Sequence, residues 1–164
     1  LMENFGRHLL KKKRTRENKI NEIVCENESN ISLYYLNCKN CTITIPNKVI
    51  KVFLENCSDC LVIITCSVTP IEILRSDRCH LIVNGGNFIQ LDLSKLILID
   101  LNLSYEDTYF YIVYCKTWDI IINLPKKNTH FNLFNDYFGE QYQLQIDITL
   151  TDPFFPNQLI HKII

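Results

Sequence analysis

The sequence predicts an all-β fold: a parallel β-helix of about five coils, closed by a strand or hairpin extension at its C-terminal end. Three observations carry this. Asn37-Cys38-Lys39-Asn40-Cys41 recurs as Asn56-Cys57-Ser58-Asp59-Cys60, and Cys79 follows Cys60 at the same spacing of 19 residues. Between these marks apolar and polar residues alternate, as in Ile50-Lys51-Val52-Phe53-Leu54, Ile71-Glu72-Ile73 and Ile89-Gln90-Leu91. Period-two alternation of β-branched residues is the mark of a half-buried strand. The middle of the chain carries no sustained helical periodicity.

A unit of this length, about 19 residues with two or three short strands, cannot bury its apolar face alone; stacked copies can. Residues 31–125 are read as the coils, with residues 17–152 as the domain. Residues 1–16 are read as a basic tail or linker, because they end in Lys11-Lys12-Lys13-Arg14-Thr15-Arg16, and residues 153–164 as a C-terminal tail. A leucine-rich repeat has a similar period but needs a Leu-x-x-Leu-x-Leu-x-x-Asn frame, which these units lack. After Pro125 a polar turn (126–129) and an aromatic connector (131–142) lead into Gln143-Leu144-Gln145-Ile146-Asp147-Ile148-Thr149-Leu150. This is a strand with one apolar face, Leu144, Ile146, Ile148 and Leu150, which must pair with something. Its partner is either its own solenoid or a second protomer, in a homodimer.

Composition removes several functions. The chain has 164 residues, one domain's worth, with 47% apolar and 21% charged residues and a net charge of −1. Bulk electrostatic binding of nucleic acid is excluded, and no apolar run reaches the roughly 18–20 residues of a membrane helix. Eight cysteines in a chain with no signal-peptide pattern read as reduced thiols of a cytosolic protein. Cys38 is expected to stack on Cys57, and Cys41 on Cys60 and Cys79, as small buried side chains. Two Cys-x-x-Cys pairs also suggest zinc, but stacked in register they would point the same way rather than surround an ion. No metal or other cofactor is expected.

Several segments together resemble the C-terminal domain of cyclase-associated protein. They are Asn47-Lys48-Val49 with the strand after it and Glu55-Asn56-Cys57, Ile71-Glu72-Ile73-Leu74, and Ile89-Gln90-Leu91-Asp92. The match continues through Ile112-Val113-Tyr114-Cys115-Lys116-Thr117-Trp118-Asp119, Leu124-Pro125, and Phe131-Asn132 with Glu140-Gln141-Tyr142. It spans residues 17–152 and departs at Gly139, where the family has Pro, and at Trp118, where it has a small residue. The resemblance implies a right-handed β-helix that exchanges its terminal hairpin between protomers. It also implies a cytoplasmic, cytoskeleton-associated, non-enzymatic protein that binds monomeric ADP-actin and promotes its nucleotide exchange. Leu10-Lys11-Lys12-Lys13-Arg14-Thr15 is similar to the core of a verprolin-homology actin-binding element, but lacks the amphipathic helix before it and is read as solvated linker.

Two enzyme readings are weaker. Tubulin-folding cofactor C has a similar β-helix and uses an arginine in a Gln-x-Arg motif to support phosphoryl transfer. None of Arg7, Arg14, Arg16, Arg75 and Arg78 has Gln two residues before it. A polysaccharide-cleaving β-helix needs clustered carboxylates, and only Glu72 and Asp92 are placed to share an outward face. His8, His80, His130 and His161 are scattered, and Gly85-Gly86 lacks a following Lys-Ser/Thr. Function therefore reduces to surfaces. Strand parity puts Ile50, Val52, Leu54, Ile71, Ile73, Ile89, Leu91, Phe110 and Ile112 inside. Ser32, Tyr34, Lys51, Phe53, Glu72, Gln90, Asp92, Tyr109 and Tyr111 then face out. Lys51, Phe53, Glu72, Gln90, Asp92 and Tyr111 are the expected actin-binding residues.

Overall fold

The computed structural model describes residues 12–86, 88–103, 109–124, 129–133, 144–149 and 159–163. Two sheets lie on adjacent sides of one coil. Sheet A holds β1 (Lys13–Glu17), β3 (Ser32–Leu36), β5 (Lys51–Glu55), β7 (Ile71–Leu74), β9 (Phe88–Asp92) and β11 (Tyr109–Cys115) in parallel, then β14 (Leu144–Thr149) and β15 (Leu159–Ile163) antiparallel. Sheet B holds β2 (Ile23–Cys25), β4 (Thr42–Val49), β6 (Leu61–Ser67), β8 (His80–Val83), β10 (Lys95–Leu101) and β12 (Trp118–Leu124) in parallel, and β13 (Thr129–Leu133) antiparallel. Among the described residues there is no helix, and hence none long and apolar enough to cross a membrane.

The expected coils are the pairs β3/β4 to β11/β12, and β1/β2 adds one before them. Their inward side chains form one continuous core. Val52, Leu54, Ile89, Leu91, Phe110 and Ile112 are fully buried, as are Val62, Ile64, Leu81, Val83, Ile99 and Ile122 of sheet B. Each such side chain contributes roughly 1.5–3 kcal/mol by leaving water, and the stacked ladder is what makes a unit this short stable.

The corner from sheet A to sheet B explains the Asn-Cys repeat. It needs two left-handed residues per coil, three apart: φ is 56° at Asn37 and 51° at Asn40, then 53° at Asn56 and 54° at Asp59. Asn and Asp tolerate this conformation better than other residues with a Cβ. The Asn side chains also bond up the stack, Asn56 Nδ2 donating to Asn37 Oδ1 at 2.7 Å and Asn40 Nδ2 to Asn21 Oδ1 at 2.8 Å.

The cysteines fill the inside of that corner in two ladders. One runs Cys38, Cys57, Ser76, Ser94, Thr117, all buried. Each thiol or hydroxyl donates to the carbonyl two residues before it: Cys57 Sγ to Glu55 at 3.5 Å, Ser76 Oγ to Leu74 at 3.0 Å, Ser94 Oγ to Asp92 at 2.8 Å. Cys and Ser exchange along this ladder because both are small donors. The other runs Cys41, Cys60, Cys79, each thiol likewise bonded to a carbonyl at 3.3–3.5 Å. Burial pushes the Cys57 thiol up to about 12 and raises Cys38 as well, while the hydrogen bond with Cys79 lowers Cys60 to about 7 and raises Cys79. Stacked in this way, no three of these thiols converge on one point with other ligands among the described residues, so chelators should leave the melting temperature unchanged. One zinc per chain by elemental analysis would overturn this assignment of the cysteines.

Five sequence expectations change. Residues 159–163, read as part of a tail, form β15, which pairs with β14 from Leu144↔Ile163 to Ile148↔Leu159. The basic run is not a linker from end to end: Lys13–Arg16 belongs to β1, which pairs with β3 from Lys13↔Ser32 to Glu17↔Leu36. Alternation fails at Ile50, which sits half-buried on the bend between β4 and β5, while Val49 takes the buried place. Phe131 lies in strand β13, not in a connector. Finally, β11 lies two residues further along than the repeat suggested, with Ile112, not Phe110, beside Ile89. The coil there is longer, 23 residues between Ser94 and Thr117 against 19 between Cys57 and Ser76. A two-residue slip keeps every side chain on its face, so Phe110 and Ile112 remain inside.

The first coil is also unlike the others within. Register puts Arg14 beside Leu33 and Arg16 beside Tyr35, at positions where later coils carry Val, Leu and Ile. Both arginines close on Glu26, which is fully buried: Arg14 at 3.0 Å, Arg16 through a short Nε contact, and the Tyr35 hydroxyl at 3.3 Å. Glu28 adds ion pairs with Arg14 and with Lys12, the latter at 2.8 Å. In the outermost described coil this network therefore puts a polar surface where the later coils are apolar, as the capping unit of a solenoid does.

Candidate functional site

The outward face of sheet A is fixed by register. One row runs Thr15, Tyr34, Phe53, Glu72, Gln90, Val113, and its neighbour runs Glu17, Leu36, Glu55, Leu74, Asp92, Cys115. Lys13, Ser32 and Lys51 begin a third row. The face is nearly flat because the strands are short, and each side chain stands beside its equivalent in the next coil.

Its centre is an aromatic and charged cluster. The rings of Tyr34 and Phe53 lie 5.7 Å apart, tilted by 55°, a favourable edge-on arrangement. Lys13 Nζ lies 4.4 Å above the Tyr34 ring and Lys51 Nζ 5.7 Å above that of Phe53, within cation–π range. Lys51 also pairs with Glu72 at 2.9 Å, across a diagonal of the sheet. Tyr34, Lys51, Phe53 and Glu72 are half-buried and Lys13 is exposed. A pair this exposed contributes little to stability.

Sequence parity placed Lys51, Phe53, Glu72, Gln90, Asp92 and Tyr111 on one face, and the structure does the same. It brings Lys51, Phe53 and Glu72 into contact. Gln90 and Asp92 form a separate pair, Nε2 to Oδ2 at 2.8 Å. Tyr111 stands opposite Phe88 rather than Gln90, because of the longer coil. Glu72 is engaged by Lys51 and Asp92 by Gln90, so neither is set up as half of an acid–base pair. The Tyr109 side chain lies outside the described residues.

Some members of the face were missed. Lys13 was assigned to the tail, and only the pairing of β1 brings it over Tyr34. Leu36 and Leu74 occupy outward places and leave the face more apolar at one end. Val113 has outward parity but is buried. Its Cα partner on β14 is Gln145, so the C-terminal strand adjoins this end of the face. An apolar residue at an outward position was the available signal.

The C-terminal strand continues sheet A. Leu144, Ile146 and Ile148 are the Cα partners of Tyr114, Ile112 and Phe110, and the side chains of Tyr114, Ile112 and Phe110 are fully buried; Leu150 lies outside the described residues. The arginines of the solenoid are corner charges: Arg75 pairs with Glu55, and Arg78 with Asp59 at 2.7 Å and Asp77 at 2.6 Å. His80 is not isolated, as its position in the sequence suggested. Its Nε2 lies 2.7 Å from Asp100 Oδ2, and Asn123 donates to the other oxygen at 2.7 Å. That group sits on sheet B, away from the aromatic cluster, and the 20-residue separation hid it from motif reading.

A family model described as adenylate cyclase associated (CAP) C terminal matches residues 10–147. Among solved structures, the crystal structure of cyclase-associated protein from Cryptosporidium parvum has the same fold, with a TM-score of 0.60 at 19% identity, covering 85% of this chain and 91% of that one. No curated protein matches.

Proposed function

The chain belongs to the family of adenylate cyclase associated (CAP) C-terminal domains, and from that premise we propose that it binds monomeric ADP-actin and promotes exchange of its nucleotide. The protein is a cytoplasmic, cytoskeleton-associated binding module with no chemistry of its own. Exchange requires only that it bind one nucleotide state, or an opened cleft, more tightly than the other. It acts as a homodimer whose seam includes residues 143–151, with β14 exchanged between protomers. The edge of β11 that receives β14 within one chain offers the same pairing to a partner's strand.

The observation that supports the actin reading is the cluster of Lys13, Tyr34, Lys51, Phe53 and Glu72 on an otherwise flat sheet face. Large aromatic rings surrounded by polar groups are the usual composition of an interface hot spot. Lys51 and Glu72 set orientation and Phe53 supplies apolar contact, with Gln90, Asp92 and Tyr111 at the rim.

The test is a titration of labelled ADP-actin monomer with nucleotide release followed in the same sample. Lys51→Ala with Glu72→Ala should weaken binding and slow exchange while leaving the melting temperature nearly unchanged. Phe53→Ala should cost on the order of 1–2 kcal/mol of binding. A double variant that binds ADP-actin as the parent does would move the contact to another side of the solenoid.

A further inference from the structure

The ridge between the two sheets changes character along the solenoid. Its left-handed positions are Asn18 and Asn21, Asn37 and Asn40, Asn56 and Asp59, then Arg75 and Arg78, then Leu93 and Leu96, then Lys116 and Asp119. The amides suit the conformation. Arg75 and Arg78 do not, but each is offset by ion pairs to its neighbours. Leu93 and Leu96, at φ 51° and 53°, are offset by nothing. A leucine there strains its Cβ against the backbone, and both side chains are 46% exposed. Trp118, the only tryptophan of the chain, stands beside them at 45% exposure. Its Cα partner is Lys95, and its N–H bonds the Ser94 carbonyl at 3.2 Å.

Two rules are broken at one place, since strained positions hold leucine and large apolar side chains face water. Such exceptions concentrate where a surface has a task other than folding. We propose that Leu93, Leu96 and Trp118, rimmed by Lys95 and Lys116, form a docking site for a segment of another protein that carries large apolar side chains flanked by carboxylates. Charge selects this occupant. Lys95 and Lys116 are exposed, and neither has an ion-pair partner among the described residues. Asp119 is the acid of this stretch of ridge. Asp77, next to Lys95, is taken by Arg78 at 2.6 Å, and Asp92 accepts from Gln90 at 2.8 Å. The three coils before it carry no exposed large apolar side chain on this ridge; the first coil exposes Ile20 at 60% and Ile23 at 87%, but its left-handed positions are Asn18 and Asn21, which suit that conformation. The site does not depend on the actin reading, which uses the face of sheet A.

The experiment pans a display library of random 12-residue peptides on the intact chain, then titrates selected peptides while following tryptophan emission. Selected sequences should be net acidic with two or more large apolar residues, and should shift the Trp118 emission to the blue. Leu93→Asn with Leu96→Asn keeps the corner conformation and relieves its strain. That variant should melt higher than the parent yet bind the peptides about ten-fold more weakly or worse. Selection of basic or uncharged peptides, no selection at all, or equal binding by the double variant would overturn the proposal. So would loss of the dimer in that variant by light scattering, which would make the occupant a second copy of this chain.

Discussion

Glu26→Ala should destabilise the protein by about 2–4 kcal/mol, more than any other single change to a charged residue described above. It removes the acceptor shared by Arg14, Arg16 and the Tyr35 hydroxyl. Two arginines then stand half-buried at the end of an apolar stack, with a buried phenol beside them. Removing one partner of a buried ion pair costs about 3–5 kcal/mol, and the remaining exposure of both arginines lowers the figure here. The effect has a pH signature. Burial alone would raise the Glu26 carboxyl, but hydrogen bonds from Arg16 and Arg14 outweigh it and hold it below its ordinary value near 4.5. The stability this carboxylate contributes is fully present above that ordinary value and is lost as pH falls through the lower folded value. Glu26→Gln should therefore be less stable than the parent at pH 7, and the gap should close below pH 4.5. Chemical denaturation across that range measures it. A gap independent of pH would show that the carboxylate's charge is not what holds the cap.

Ending the chain at Gln141 should be more disruptive still. It removes β14 and β15 and leaves β11 with a bare edge from Tyr109 to Tyr114, beside the fully buried Phe110, Ile112 and Tyr114. Each backbone hydrogen bond lost costs about 1 kcal/mol, and an unpaired edge beside apolar side chains recruits other chains. Light scattering should find a dimer for the intact chain at low concentration, and monomers or aggregates for the shortened one. A stable monomer from the intact chain would remove the exchanged strand from the account. A well-behaved dimer from the shortened chain would place the seam elsewhere.

The sequence by itself determined the period, the strands and the inward set from Val52 to Ile112, because each rests on local alternation repeated at a fixed interval. It also determined the cysteine ladders and the single face that carries Lys51, Phe53, Glu72, Gln90, Asp92 and Tyr111. Parity does not depend on how coils are joined. What only the tertiary structure decided are relations between residues far apart in the chain. Register across a longer coil set Tyr111 beside Phe88, which no count of residues along one strand reveals. The pairing of β1 with β3 turned a basic run into a strand and its arginines into an end cap. Opposite charges brought from separate strands satisfy Glu26, so the run looked like solvated tail when read alone. The asparagines were visible in the repeat, but their use came from backbone dihedrals at the corner. The same dihedrals make Leu93 and Leu96 exceptional: in sequence they are two apolar residues among many, and in three dimensions they occupy the strained, exposed ridge.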